Sequence, residues 1–199
     1  MNKQGRRRKL REKSGYTLAE ALVAILLISL LSMSIATGVA FGVKQYSYAV
    51  SRSEARVLCS TLENIVRDEL RNASTISIGS ADAAGLASVT GYGISRNFTP
   101  SGATSLSSFI ATEASNGFGY LAVKTNAKDP SSGEEKTETL LLLSKAAYSH
   151  KAQKLTAKVD VRYHQDKGYF QVQLWVKAPD SGTVDTTFDV FPLNQLIIT

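Results

Sequence analysis

Residues 21–43, ALVAILLISLLSMSIATGVAFGV, run for 23 positions without a charged side chain. As an α-helix rising 1.5 Å per residue they extend for ~35 Å, enough to cross the ~30 Å hydrocarbon core of a bilayer. A secretory signal has an apolar core of only about 7–15 residues, followed by a small-residue cleavage site. This run is longer, and Lys44-Gln45-Tyr46 follows it. The segment is therefore expected to remain in the protein as a membrane-spanning helix.

Charge fixes the expected orientation. The 199-residue chain has 23 Lys plus Arg against 17 Asp plus Glu, a net charge of +6. Residues 1–15, MNKQGRRRKLREKSG, hold seven of the basic residues and one acid, Glu12. The remaining 184 residues carry 16 of each sign, so the excess lies before the apolar run. Beyond that run, residues 44–58 offer only Lys44, Arg52 and Arg56 beside Glu54. The positive-inside bias predicts a cytoplasmic amino end and a carboxy-terminal part outside. A neutral remainder also argues against a basic nucleic-acid-binding domain, and no direct nucleic-acid partner is expected.

Glu20 is the anomaly, a carboxylate one turn into the apolar helix, where burial in lipid costs a few kcal/mol. Its setting is Lys13-Ser14-Gly15-Tyr16-Thr17-Leu18-Ala19-Glu20. This stretch resembles the processing motif of type IV prepilins and pseudopilins: a basic leader ending in Gly, an aromatic residue, Thr-Leu, a variable residue and Glu. The resemblance covers about thirty residues. Many members have Phe where this chain has Tyr16.

The resemblance implies a prepilin peptidase that cuts between Gly15 and Tyr16 and methylates the new amine of Tyr16. It also implies that Glu20 pairs with the terminal amine of a neighbouring subunit during assembly. The implied partners are prepilin peptidase, other pilin subunits met through the amino-terminal helix, the pilus assembly platform with its ATPase, and the lipid bilayer before assembly. The product would be a structural subunit, a minor pilin or pseudopilin, of an extracytoplasmic filament serving motility, adhesion, secretion or competence. A signal-anchored cell-surface binding protein that never polymerises is the alternative.

The helix is expected to continue past the membrane. Leu58, Leu62, Ile65 and Val66 follow the i, i+4, i+7, i+8 spacing of one helical face, and no Pro precedes Pro100. A helix over 17–73 would be ~85 Å long. Residues 74–117 are rich in Ser, Thr, Ala and Gly and are expected to form a variable loop region, with 75–78, 86–94 and 108–112 as brief strands or helical turns. Strands are expected at 118–125, 138–144, 155–163, 169–177 and 183–191, with a polar loop over 126–137. Gln165-Asp166-Lys167-Gly168 is a hairpin signal.

The fold class is thus α+β: a long amino-terminal helix, transmembrane then amphipathic, packed on a carboxy-terminal antiparallel sheet, as in pilins. The expected organisation is a leader over 1–15, a membrane and filament-core helix over 16–43, and a globular domain over 44–199. That domain comprises an amphipathic helix (44–73), the loop region (74–117) and the sheet (118–199).

No catalytic motif, metal-ligand spacing or cofactor fingerprint is present, so neither an enzyme nor a cofactor is expected. His150 and His164 lack partners at ligand spacing. Asp180, Asp185 and Asp189 read as the polar face of a strand in preference to a cation site. Cys59, the single cysteine, reads as a small buried hydrophobe.

Overall fold

The computed structural model describes residues 17–82, 85–94, 105–128, 135–150, 153–179 and 181–199. The leader, with Gly15 and Tyr16, lies outside the described residues. The first element is a helix, α1, spanning Leu18–Arg71. The chain divides into two compact units, Met1–Tyr46 and Ser47–Thr199.

In the first unit the described part of the helix is exposed along its apolar stretch. Leu22, Ile25, Leu26, Ile28, Leu31 and Val39 are all exposed. It is long and apolar enough to cross a membrane.

In the second unit the helix is half-buried. Ser51, Ala55, Leu58, Cys59, Leu62, Val66 and Leu70 form its buried stripe, at the three- and four-residue spacing that keeps side chains on one face. Ile65 lies at the margin of this stripe, and Val57 is exposed to solvent. The helix stops at Arg71, and Ala73 already belongs to the first strand.

Among the described residues a nine-stranded sheet covers that stripe. Its members are β1 (Ala73–Ala81), β2 (Leu86–Ile94), β3 (Leu106–Ser115), β4 (Phe118–Lys128), β5 (Glu135–Leu141), β8 (Thr156–His164), β9 (Tyr169–Ala178), β10 (Gly182–Val190) and β11 (Ile197–Ile198). A 3-10 turn (Lys145–Tyr148) and the two-residue strands β6 (Ser149–His150) and β7 (Gln153–Lys154) lie between β5 and β8. The order is β10-β9-β8-β4-β3-β2-β1-β11, with β5 also beside β4. All of these pairings are antiparallel except that of β1 with β11.

The period-2 pattern sets the inner face. Phe170, Val172, Leu174 and Val176 on β9 are fully buried, as are Ala157 on β8 and Val190 on β10 with at most 1% exposure. They share one core with Leu58, Leu62, Val66 and Leu70 of the helix. Burying such side chains stabilises by roughly 1.5–3 kcal/mol each, which is why helix and sheet form together.

Within 74–117 the short pieces expected at 75–78, 86–94 and 108–112 as brief strands or helical turns are strands, β1, β2 and β3, with β1 and β3 longer than expected. Gly79, Gly91 and Gly93 stand within these strands, where a Cβ would meet atoms of the neighbouring strands at 2.7 Å for Gly79 and 3.4 Å for the other two. The turn joining β3 to β4 is Asn116-Gly117, with φ of 53° and 80°, the left-handed pair that a two-residue hairpin requires. The expected polar loop over 126–137 is also shorter, because β4 runs to Lys128 and β5 begins at Glu135. Registry between β4 and β5 carries polar residues such as Asn126 and Thr137 into the ladder.

One seam interrupts the sheet. β8 pairs with β2 over Leu86–Ser88 and with β4 at Gly119, and between these points the strands diverge. A cleft of about 190 Å³ lies there, lined by residues including Tyr92, Phe109 and Asp160.

Candidate functional site

The chemistry-bearing residues singled out from the sequence are Gly15, Tyr16 and Glu20. The first two lie outside the described residues, so the geometry begins at Thr17. Thr17 is the N-cap of α1: its carbonyl accepts the first helical bond, from the Ala21 N–H at 3.1 Å. The Thr17 Oγ1 accepts from the Glu20 N–H at 3.3 Å. Reciprocally, Glu20 Oε2 accepts from the Thr17 N–H at 2.9 Å and from the Thr17 hydroxyl at 3.1 Å.

This is a capping box. It satisfies two backbone donors that a helix otherwise leaves without partners, and it places a carboxylate at the positive end of the helix dipole. The pattern Thr-x-x-Glu ahead of an apolar run was present in the sequence, yet only the Glu was singled out. Thr17 is the residue that sequence reasoning missed. Glu20 therefore has local hydrogen-bond partners, while among the described residues no Lys or Arg forms an ion pair with it.

The polar side chains further along the apolar stretch are also satisfied within the helix. Ser29 Oγ donates to the Leu26 carbonyl at 2.8 Å, Ser32 to Ile28 at 2.8 Å and Ser34 to Leu30 at 3.0 Å. The Thr37 hydroxyl reaches the carbonyls of Met33 and Ser34. A helix that holds its own hydroxyls in this way presents few unmet polar groups to an apolar surrounding. Gly38 and Gly42 have open space where a Cβ would stand.

The other residues weighed from the sequence fall as follows. Cys59 is 4% exposed in the core. Burial pushes its thiol up to about 11, with the carboxylates of Glu63 and Asp185 adding to the rise. Such a thiol is inert at neutral pH. Asp185 and Asp189 lie opposite Trp175 and Gln171 on the outward side of β10, and Asp180 is outside the described residues. His164 tilts against Tyr169 with ring centroids 5.4 Å apart, and its Nδ1 is buried without a hydrogen-bond partner among the described residues. Among the described residues no three His, Cys, Asp or Glu side chains converge as metal ligands.

No protein-family model, curated protein or solved structure matches this chain.

Proposed function

We propose that the chain is a pilin-like filament subunit: a membrane-inserted precursor, cut after Gly15, whose mature form begins at Tyr16 and assembles through the apolar part of α1. The observation that carries this reading is the coincidence, within residues 1–43, of four features. They are a basic leader, Gly15-Tyr16, a carboxylate at Glu20 and an uncharged run that forms one exposed helix. Cleavage would remove the net positive charge that holds the amino end at the cytoplasmic face. It would also create an amine next to the capping box, whose carboxylate is already turned toward the start of the helix.

In a filament core that amine and Glu20 of an adjacent subunit would neutralise each other, and the pair would set the axial register between neighbours. The long helix followed by an antiparallel sheet supports this architecture at the level of fold class. A minor or accessory subunit is the preferred form.

Intact-mass measurement of the protein extracted from membranes that contain a prepilin peptidase tests the reading. Loss of residues 1–15, with one added methyl group, is the expected result. Retention of Met1–Gly15, under conditions that process a control prepilin, selects the permanently anchored surface protein instead.

A further inference from the structure

The turn between β3 and β4 carries a reactive pair. Asn116-Gly117 is the single place in the sequence where Gly follows Asn. Asn2, Asn64, Asn72, Asn97, Asn126 and Asn194 all precede residues with a side chain. Both residues of the turn are exposed. Among the described residues no hydrogen bond holds the Asn116 side chain, and the Gly117 N–H donates to no backbone carbonyl.

The hairpin holds this turn loosely. Ser115↔Phe118 closes it, and the next pair is Thr112↔Tyr120, beyond a bulge. Within the bulge Glu113 has φ of 52°, a left-handed value that residues other than Gly and Asn seldom take. Asn116 and Gly117 can therefore leave their own left-handed conformations without unzipping a long ladder. Gly117 has no side chain to shield its backbone nitrogen. The nearest side chain is the stem of Lys158, whose Cδ stands 3.7 Å from where a Cβ would be.

We propose that Asn116 is a site of spontaneous covalent modification, converting through a succinimide to aspartate and isoaspartate. The Gly117 backbone nitrogen attacks Cγ, the carbonyl carbon of the Asn116 side chain. A bond from that nitrogen to Cγ forms, the Cγ–Nδ2 bond breaks, and the proton of the Gly117 nitrogen leaves on ammonia. Water then opens the ring. If it breaks the new bond to Cγ, an ordinary aspartate results. If it breaks the original peptide bond to the Asn116 carbonyl carbon, the chain runs on through Cβ and Cγ, one methylene longer. Nothing is oxidised or reduced. The longer backbone of the isoaspartyl form cannot close the two-residue turn at Ser115↔Phe118. Gly119↔Ala157, which joins β4 to β8, stands next to that turn. Conversion therefore loosens the start of β4.

The full-length protein in detergent micelles is incubated at mildly alkaline pH, where the attacking nitrogen gives up its proton more readily, and sampled by peptide mapping. Asn116 is expected to convert at least tenfold faster than any other asparagine, with a mass gain of about 1 Da and two separable products, aspartyl and isoaspartyl. Hydroxylamine, which traps the succinimide, should cleave the chain between Asn116 and Gly117. In the converted protein the amides of Phe118, Gly119 and Tyr120 should exchange with solvent at least tenfold faster than before incubation. Asn116→Gln, whose longer side chain closes a ring far more slowly, should show none of these changes after the same treatment. Survival of Asn116 while another asparagine converts, an aspartyl product without the isoaspartyl one, or no hydroxylamine cleavage at this bond overturns the modification. Unchanged exchange in the converted protein overturns the loosening of β4.

Discussion

Ser51 on α1 and Ser181, in the turn before β10, bring their hydroxyls to 3.3 Å in the buried interior, although 130 residues separate them in the chain. The pair is a polar contact at the margin of an otherwise apolar core, near the first buried turn of the helix. Ser51→Ala and Ser181→Ala should each cost about 1 kcal/mol, the usual net worth of such a hydrogen bond. The double variant should cost clearly less than the two added together, because both singles remove the same bond. Urea unfolding of the four proteins checks this, and strictly additive losses would refute the coupling.

A soluble fragment makes these measurements practical. Residues 44–199 contain the buried stripe of α1 and the sheet that covers it. This fragment should be monomeric, show mixed helix and sheet by circular dichroism, and unfold in one cooperative transition. A disordered fragment would contradict the shared core.

Glu20 has two separable roles, cap and charge. Glu20→Gln keeps an acceptor for the Thr17 N–H and removes the charge; Glu20→Val removes both. Both variants should insert into membranes and lose the leader. If the proposed pairing holds, both should be depleted from sheared filaments, because a neighbour's amine would be buried alone, at roughly 3–5 kcal/mol. Helicity at the amino end, measured by NMR in micelles, should fall only in Glu20→Val and in Thr17→Val. Wild-type filament recovery for Glu20→Gln would leave capping as the only role of this residue.

Gly119 is a close-packing position. A Cβ there would stand 2.3 Å from the Thr112 carbonyl oxygen and 3.2 Å from Ala114 Cα, both backbone atoms with little room to retreat. Gly119→Ala should destabilise the fragment by about 2–3 kcal/mol. Gly182→Ala makes a useful contrast: nothing lies within 4 Å of its Cβ position, but its φ of +82° strains any other residue. It should cost about 1 kcal/mol.

Alkaline pH should weaken the fold through Cys59. Its thiol rises from 9.0 to about 11 in the folded state, so above pH 9 the unfolded chain releases a proton that the folded chain retains. Stability is therefore complete below pH 9 and declines as pH climbs toward 11, by on the order of 2 kcal/mol for this group. Burial also raises Tyr92 and Tyr148, which extends the loss to higher pH in the same direction. Cys59→Ala should flatten the decline between pH 9 and 11. Thiol reagents should label the native protein at pH 7 far more slowly than the urea-unfolded protein.

The legible parts of the sequence were those with strong periodicity. Phe170, Val172, Leu174 and Val176 alternate cleanly, and all four are fully buried. Leu58, Leu62 and Val66 show the helical stripe for the same reason, while Ser51 and Ala55 were too small or too polar to register as core. In 74–117 the pieces 75–78, 86–94 and 108–112 were readable as brief strands or helical turns, but Ser, Thr, Ala and Gly do not by themselves decide between the two or set how far a strand runs. Their pairing with distant strands decides, as at Ala87↔Tyr163. Asn116-Gly117 was nevertheless a readable hairpin turn, and Thr17 a readable cap.

The seam between β2 and β8 has a consequence for the order of folding. The β1–β2 pair, the β3–β4–β5 meander and the β8–β9–β10 meander each join neighbours in the chain, so each can form quickly from local encounters. Leu86–Ser88 must then find Arg162–His164 across more than seventy residues, through only three residue pairs. That closure has a large loop entropy to overcome and few contacts to reward it. The seam is thus completed late and opens early under thermal fluctuation, so backbone amides beside it should exchange with solvent well ahead of those along β9.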